Sequence, residues 1–247
     1  MTLKPITQES ADRICCLVIA KYGLGKTSLI RTVLGQQFID GKWQQVAQPE
    51  EKVCVLSAES GLLSVRDLLK AGMIEGYEIG SLADFKAAYE LLLTTPQMQE
   101  RYGWVFIDSL SEISDRCDQA MKEKYPDASK NFKRWDDYTD SMITTVKCFR
   151  DLKAYNVVFT CLETIDKDQD NRRYVAPAVA GNKLKERLPS FFDEVFYLKI
   201  EKDDSGADHR VFYTQPINEY PAKDRSGRLA PIEAPNLLTI KNKILTD

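Results

Sequence analysis

An α/β fold, with a mostly parallel central sheet flanked by helices, is predicted by three features of this 247-residue chain. Four short apolar runs, at residues 14–20, 53–57, 104–107 and 157–162, lack strict alternation. Unbroken apolar runs are expected of strands covered on both faces. Helical patterns fall between these runs, and alternating strand and helix implies right-handed βαβ units in a doubly wound sheet. Hydrophobic residues at 43 % and charged residues at 29 % are globular proportions, so a packed core is expected.

Taken in order, the run at 14–20 leads into a helical pattern at 26–34. The run at 53–57 leads into one at 63–70. Ser81-Leu-Ala-Asp84 has the form of a capping box, followed by Phe85, Tyr89, Leu92 and Leu93 on one face. The run at 104–107 precedes helices at 111–125 and 135–153, and the fourth run, 157–162, closes the parallel series. The last third differs. Residues 195–201 and 210–215 alternate apolar and polar positions around Asp203-Asp-Ser-Gly206, which predicts a C-terminal antiparallel hairpin at the sheet's edge. Pro216, Pro221, Pro231 and Pro235 then punctuate the chain, and Leu237, Leu238, Ile240 and Ile244 suggest a short amphipathic tail. With no repeat and no linker, a single domain over residues 1–247 is expected.

Composition narrows the function classes. The longest apolar run is too short for a membrane span. Residues 1–10 are polar, without the apolar core of a signal peptide. The single histidine, His209, rules out a two-histidine metal site and argues against a Ser–His–Asp triad. Of six cysteines, Cys15, Cys16, Cys54 and Cys161 lie inside apolar runs, and no Cys-x-x-Cys pair occurs. Free, buried thiols in a reducing cytoplasm are expected. A net charge of −3 argues against a uniformly basic nucleic-acid coat and leaves room for local patches.

The most informative segment is Ala20-Lys-Tyr-Gly-Leu-Gly-Lys-Thr27, placed between a strand and a helix. It matches the phosphate-binding pattern Gly-x-x-x-x-Gly-Lys-Ser/Thr except at its first position, where Ala20 stands. Gly23 and Gly25 let successive N–H groups point at phosphate oxygens, and the following helix adds its positive end. Tyr22, Gly23, Leu24, Gly25, Lys26, Thr27 and Ser28 therefore form the expected nucleotide cradle for ATP. Lys26 neutralises the β- and γ-phosphates and Thr27 ligates Mg²⁺. Trp104-Val-Phe-Ile-Asp108 delivers an acid to the sheet's C-terminal edge, where Asp108 joins Thr27 at the metal position; the alternative is an Asp that only caps the next helix. Val53-Cys-Val-Leu-Ser-Ala-Glu59 ends likewise in an acid. Glu59 there is either a general base that orients water or a solvated carboxylate. Thr160 and Glu163, closing the fourth strand, are candidate γ-phosphate sensors.

The segments Tyr22-Gly-Leu-Gly-Lys-Thr-Ser28, Leu56-Ser-Ala-Glu-Ser-Gly61, Phe106-Ile-Asp-Ser-Leu110 and Val158-Phe-Thr-Cys-Leu-Glu163 together resemble the RecA-like branch of P-loop ATPases. So do Leu188-Pro-Ser-Phe-Phe-Asp-Glu-Val195 and Ala222-Lys-Asp-Arg-Ser-Gly227. More narrowly, the chain resembles phage AAA-type nucleotide-binding proteins, including single-strand annealing recombinases that keep only a RecA-like core. The resemblance spans residues 4–244. It implies a RecA-like P-loop NTPase fold, Mg²⁺-dependent ATP hydrolysis with Glu59 as the catalytic glutamate, and the cytoplasm of a phage-infected host. It also implies a homo-oligomer, ring or filament, in which Lys223 and Arg225 reach a neighbour's nucleotide site as an arginine finger does. An ordinary solvated turn is the alternative there.

The same resemblance implies single-stranded DNA contacts from loops after the third and fourth strands, with a single-strand binding protein as a further partner. Lys122, Lys124, Lys130, Lys133 and Arg134 lie near Trp135 and Tyr138 in the first. Lys167, Arg172, Arg173, Lys183 and Lys185 lie in the second, whose Pro177, Gly181 and polar content suggest a mobile loop. Asp166, Asp168, Asp170 and Glu186 dilute its charge. Two other functions fit the phosphate loop. One is a nucleotide-switched assembly protein without a DNA role. The other is a small-molecule kinase with residues 172–187 as its lid, which would leave Glu59 and the Lys-Asp-Arg turn without a purpose.

Overall fold

The computed structural model describes residues 12–49, 51–59, 61–167 and 170–246. The polar stretch 1–10 and Asp168 lie outside the described residues. The chain opens with β1 (Cys15–Ala20), then a tight turn of 3-10 helix, Thr27–Leu29, that continues into α1 (Ile30–Val33). A hairpin of β2 (Gln36–Ile39) and β3 (Lys42–Gln45) follows. Next come β4 (Lys52–Ser57), α2 (Arg66–Lys70), β5 (Ile74–Glu78), α3 (Leu82–Thr94) and α4 (Pro96–Arg101). The third parallel strand, β6 (Tyr102–Asp108), leads to α5 (Leu110–Lys124) and α6 (Asn131–Arg150). Then β7 (Asn156–Lys167) turns back into β8 (Arg173–Pro177), followed by α7 (Asn182–Arg187). The chain finishes with β9 (Glu194–Lys202), β10 (Asp208–Tyr213), the two-residue strands β11 (Lys223–Asp224) and β12 (Ile232–Glu233), and α8 (Leu237–Leu245).

The main sheet runs β12-β10-β9-β1-β7-β6-β4-β5. From β9 to β5 every neighbouring pair is parallel, as the apolar runs predict. β1 lies between β7 and β9: the chain crosses from β1 to β4 on one side, and later enters β9 on the other. Such a switch point opens a crevice at the strands' C-terminal ends. Both faces are covered, which explains why the strands read as unbroken apolar runs. In β1, Cys15, Leu17 and Ile19 face the layer holding α3, α5, α6 and α7, while Cys16, Val18 and Ala20 face α1, α2 and α8. In β7, Phe159 packs edge-on against Phe192 at 5.1 Å and against Phe149 at 6.5 Å. Such aromatic contacts add about 0.5–1.5 kcal/mol each beyond area burial.

Local signals explain the helix starts. The Ser81 hydroxyl caps α3 by accepting from the Asp84 N–H at 3.2 Å. On that helix Phe85 and Leu92 are buried, but Leu93 is exposed. At 100° per residue Leu93 turns off the face that Phe85 and Leu92 share.

Three elements differ from the sequence expectation. The β2–β3 hairpin was unanticipated. Its turn residues Asp40 and Gly41 take φ of +50° and +77°, the two-residue geometry that matches strand twist. β5 adds an edge strand beyond β4. The segment after Glu163, expected as a loop, pairs through its described residues as a β7–β8 antiparallel arm, followed by α7. The Ser111 hydroxyl accepts from the Leu162 N–H, and the Ser114 hydroxyl accepts from the Ala180 N–H, both at 2.9 Å. These bonds tie both ends of the arm to α5. The C-terminal hairpin β9–β10 lies near the sheet's edge, with only β12 beyond it. Cys15, Cys16, Cys54, Cys117 and Cys161 are buried free thiols and Cys148 is partly buried. Burial pushes the Cys161 thiol up to about 11.

Candidate functional site

The C-terminal ends of β1, β4, β6 and β7 bring Lys26, Glu59, Asp108 and Thr160 to one crevice. Ala20 is the last residue of β1, fully buried and in register with Leu162. The replaced glycine thus falls on a strand position that needs no positive φ, and its methyl fills the core. Beyond it, Gly23 and Gly25 take φ of +78° and +89°. Tyr22 is exposed at the loop's tip, while Leu24 packs against the core. The loop therefore has an apolar anchor and an open backbone.

Lys26 is buried, yet among the described residues its ammonium meets only backbone acceptors: the Lys21 carbonyl at 3.2 Å and the Ala20 carbonyl at 3.4 Å. Burial lowers its pKa, and the negative charges of Asp108 and Glu59 oppose that shift. A buried cation held by carbonyls alone gains most from an anion in the loop.

Asp108 ends β6 and is 2 % exposed. Its Oδ2 accepts from the Thr27 hydroxyl at 2.6 Å, and its Oδ1 accepts from the Thr160 hydroxyl. Burial pushes its carboxyl pKa up, against the two threonine hydrogen bonds. Thr160 is fully buried, so it reaches a nucleotide only through Asp108. Glu163 accepts from the Tyr197 hydroxyl. Its carboxylate is therefore already tied to β9.

Glu59 is exposed two residues beyond Ser57, the buried end of β4. The Ser109 hydroxyl donates to its Oε1 at 2.5 Å. Behind it, Arg116 donates to the Ala58 carbonyl at 2.8 Å and the Gly80 carbonyl at 2.9 Å. Ser109 and Arg116 were missed as positioning residues. Ser109 was legible as the residue following the acid of β6, whereas Arg116 required α5 to be docked against the β4 exit.

The donor set suits Mg²⁺ and a nucleotide triphosphate. Thr27 and Asp108 supply adjacent hard oxygens, the ligands that Mg²⁺ prefers. Lys26 and the loop N–H groups suit phosphate oxygens. When bound, Mg²⁺ would supply charge neutralisation on the phosphates. Lys26 would hold the phosphates, and Glu59 would accept a proton from an attacking water.

Lys223 and Arg225 lie elsewhere on the chain's surface, around β11. The Lys223 ammonium donates to the Phe192 carbonyl at 2.6 Å, so it is folded onto its own chain. Arg225 is exposed and pairs with Asp193 at 2.5 Å. Of the nucleic-acid candidates, Lys167, Arg172 and Arg173 are exposed on the β7–β8 arm, and Lys183 is exposed on α7. Lys185 is partly buried and pairs with Asp166 at 3.2 Å, while Arg172 lies 3.8 Å from Asp170. Trp135 packs on the core beside Tyr138, with the Arg134 guanidinium 4.5 Å from its ring.

No helix among the described residues is long and apolar enough to cross a membrane. No curated protein matches the chain. A family model described as an AAA domain matches residues 12–226. That span contains the phosphate loop, both acids and the β7–β8 arm, and it covers most of the chain. The chain therefore belongs to the AAA domain family of nucleotide-binding ATPases.

Proposed function

We propose that this protein is a Mg²⁺-dependent ATPase that binds single-stranded DNA and promotes annealing or homologous recombination, as phage annealing recombinases with a RecA-like core do. The observation that carries the ATPase reading is the convergence of Lys26, Thr27, Asp108 and Glu59 at the ends of three parallel strands. Lys26 meets the phosphates, Thr27 and Asp108 hold the metal, and Glu59 orients the water.

The DNA reading is supported by the β7–β8 arm. β7 leaves the site at Thr160 and carries Lys167 outward, with Arg172 and Arg173 entering the return strand. Exposed cations on an arm rooted beside Asp108 suit a strand whose phosphates are gripped according to nucleotide state. Arg225, exposed on its turn, completes the site of a neighbouring subunit in a homo-oligomer. Only its Asp193 pairing must be exchanged.

A second reading, a nucleotide-switched assembly protein without a DNA role, is favoured by the ion pairs Lys185–Asp166 and Arg172–Asp170, which neutralise part of the arm. ATP turnover measured with and without single-stranded DNA separates the two. The first reading expects stimulation and binding that weakens steeply with salt. Absence of single-strand binding at low salt would remove the DNA role and leave the assembly reading.

A further inference from the structure

A cleft of about 960 Å³ opens beside the phosphate loop, on the β10 side of the sheet. This volume lies in the range of small-molecule sites, about 300–1,000 Å³. Its walls include Gly25 and Ser28 of the loop, Phe38 and Trp43 of the β2–β3 hairpin, Arg210 of β10 and Asn236 before α8. None of the hairpin or β10 residues takes part in the chemistry described above.

Two arginines approach the Trp43 ring, each with its guanidinium carbon 5.7 Å from the ring centroid. They are treated very differently by their surroundings. Arg31 donates twice to the Asp67 carboxylate, to the Gln36 side chain at 3.0 Å and to the Ser64 carbonyl at 2.8 Å. Arg210 has no carboxylate within ion-pair distance among the described residues. Among the described residues its guanidinium makes one hydrogen bond, a long one of 3.5 Å to the Leu24 carbonyl of the phosphate loop. Its guanidinium is half-buried, and burial lowers its pKa. A desolvated guanidinium without an anion is costly unless a ligand supplies one.

Arg210 is also placed against the phosphate loop by design of the backbone. A Cβ added at Gly25 would lie 2.5 Å from its Nη1, so a side chain there would push the guanidinium away from the loop. On the other side the guanidinium lies 5.1 Å from the Phe38 ring centroid. Phe38 is 52 % exposed, and its ring meets Trp43 edge-on at 5.4 Å. An aromatic pair left open to solvent at the mouth of a cleft offers π-faces to a flat ligand. The hairpin is anchored rather than loose. Val46 N–H donates to the Gly35 carbonyl at 2.9 Å, and the Gln45 side chain donates to the Leu34 carbonyl at 2.6 Å.

We propose that this cleft is the nucleoside end of the nucleotide site, with Arg210 taking a phosphate oxygen in cis and the Phe38–Trp43 pair taking the base by stacking. The proposal rests on the ATP reading of the phosphate loop. It adds a recognition element that the loop lacks, because a phosphate cradle by itself is blind to what the phosphates carry. In this arrangement Arg210 exchanges its weak Leu24 contact for an anion, and the ring faces it now covers pass to the base.

The test is equilibrium binding of ATP and of inorganic tripolyphosphate, each with Mg²⁺, to the full chain. Wild type, Trp43→Ala, Trp43→Phe, Arg210→Gln and Lys26→Ala are compared, with melting temperatures as a folding control. Base stacking is worth about 1–3 kcal/mol, or roughly 5- to 150-fold in affinity. Trp43→Ala is expected to weaken ATP by at least about tenfold and to leave tripolyphosphate unchanged. Trp43→Phe, which keeps a ring, should restore ATP binding. Arg210→Gln should weaken both ligands. Equal ATP affinity in wild type and Trp43→Ala would overturn the base site, and equal tripolyphosphate affinity in wild type and Arg210→Gln would overturn the role of Arg210. Should wild type bind neither ligand, the nucleotide reading itself fails, and the proposal with it. That outcome is distinct, because the base-site failure leaves Lys26-dependent ATP binding intact.

Discussion

Glu194→Gln should remove a pH dependence from the stability of this protein. Glu194 opens β9, is 2 % exposed, and its Oε2 has no hydrogen-bond partner among the described residues. It stands opposite Asp224 in the β9–β11 pair. Burial pushes its carboxyl up to about 8, and the Asp224 charge adds to the effect. Asp224 is also raised by burial, but hydrogen bonds from Ser226 and from the Leu229 and Gly227 N–H groups outweigh that and hold it below its ordinary value. An unfolded chain releases the Glu194 proton near 4.5, whereas the folded protein keeps it to about 8. Between those values the native state binds the extra proton, so stability falls as pH rises. The interval is about 3.5 pH units at about 1.4 kcal/mol each, an upper bound near 5 kcal/mol. Relaxation of the short β11 segment and entry of water reduce this to about 2–3 kcal/mol, still a large part of a total of about 5–15. Glutamine keeps a donor toward Asp224 and does not titrate. Urea unfolding of both proteins at fixed ionic strength from pH 5 to pH 9 reads the difference. The two should be similarly stable near pH 5, with the variant more stable by about 2–3 kcal/mol at pH 9. Parallel pH profiles would refute a buried, protonated Glu194.

Other outcomes follow from the site and the core. Lys26→Ala should abolish ATP binding measured by calorimetry, whereas Glu59→Gln should bind normally and lose about 10²- to 10⁴-fold in turnover. Normal hydrolysis by Glu59→Gln would take that residue out of the mechanism. Arg225→Ala should lower turnover by about 10³-fold without changing ATP affinity. Mixing it with Lys26→Ala should recover activity at mixed interfaces, and no recovery would argue against action in trans. Phe159→Ala, which empties a fully buried site between Phe149 and Phe192, should cost about 3–5 kcal/mol in urea unfolding. A loss under about 1 kcal/mol would contradict that packing.

The parallel strands were legible because burial on both faces leaves one unmistakable mark, an apolar run ended by a functional residue. Ala20, Glu59 and Asp108 all stand at or next to such an end. The β2–β3 hairpin carries one local signal, the Asp-Gly between aromatic positions in Phe38-Ile-Asp-Gly-Lys-Trp43. It was hidden by its mixed polar composition, with only Gln36 and Trp43 partly buried. β8 resembles loop in sequence because Arg173 and the polar residues before it mask the buried Val175, Ala176 and Pro177.

By itself, the sequence determined the order of the four central parallel strands and the helices between them, the phosphate loop, and which acids follow which of those strands. These are local properties, written in spacing and polarity within some ten residues. Tertiary structure alone decided which distant groups share an environment. Arg210 is 186 positions from Leu24, yet it lies on the phosphate loop because β10 pairs with β9 and β9 with β1. The same docking leaves Arg31 paired with Asp67 and Arg210 without a carboxylate among the described residues, two fates that identical side chains take from their neighbours. Glu194 and Asp224 likewise meet only through strand register. Burial and proximity are properties of the packed chain, and they set charge, pKa and ligand chemistry where spacing cannot.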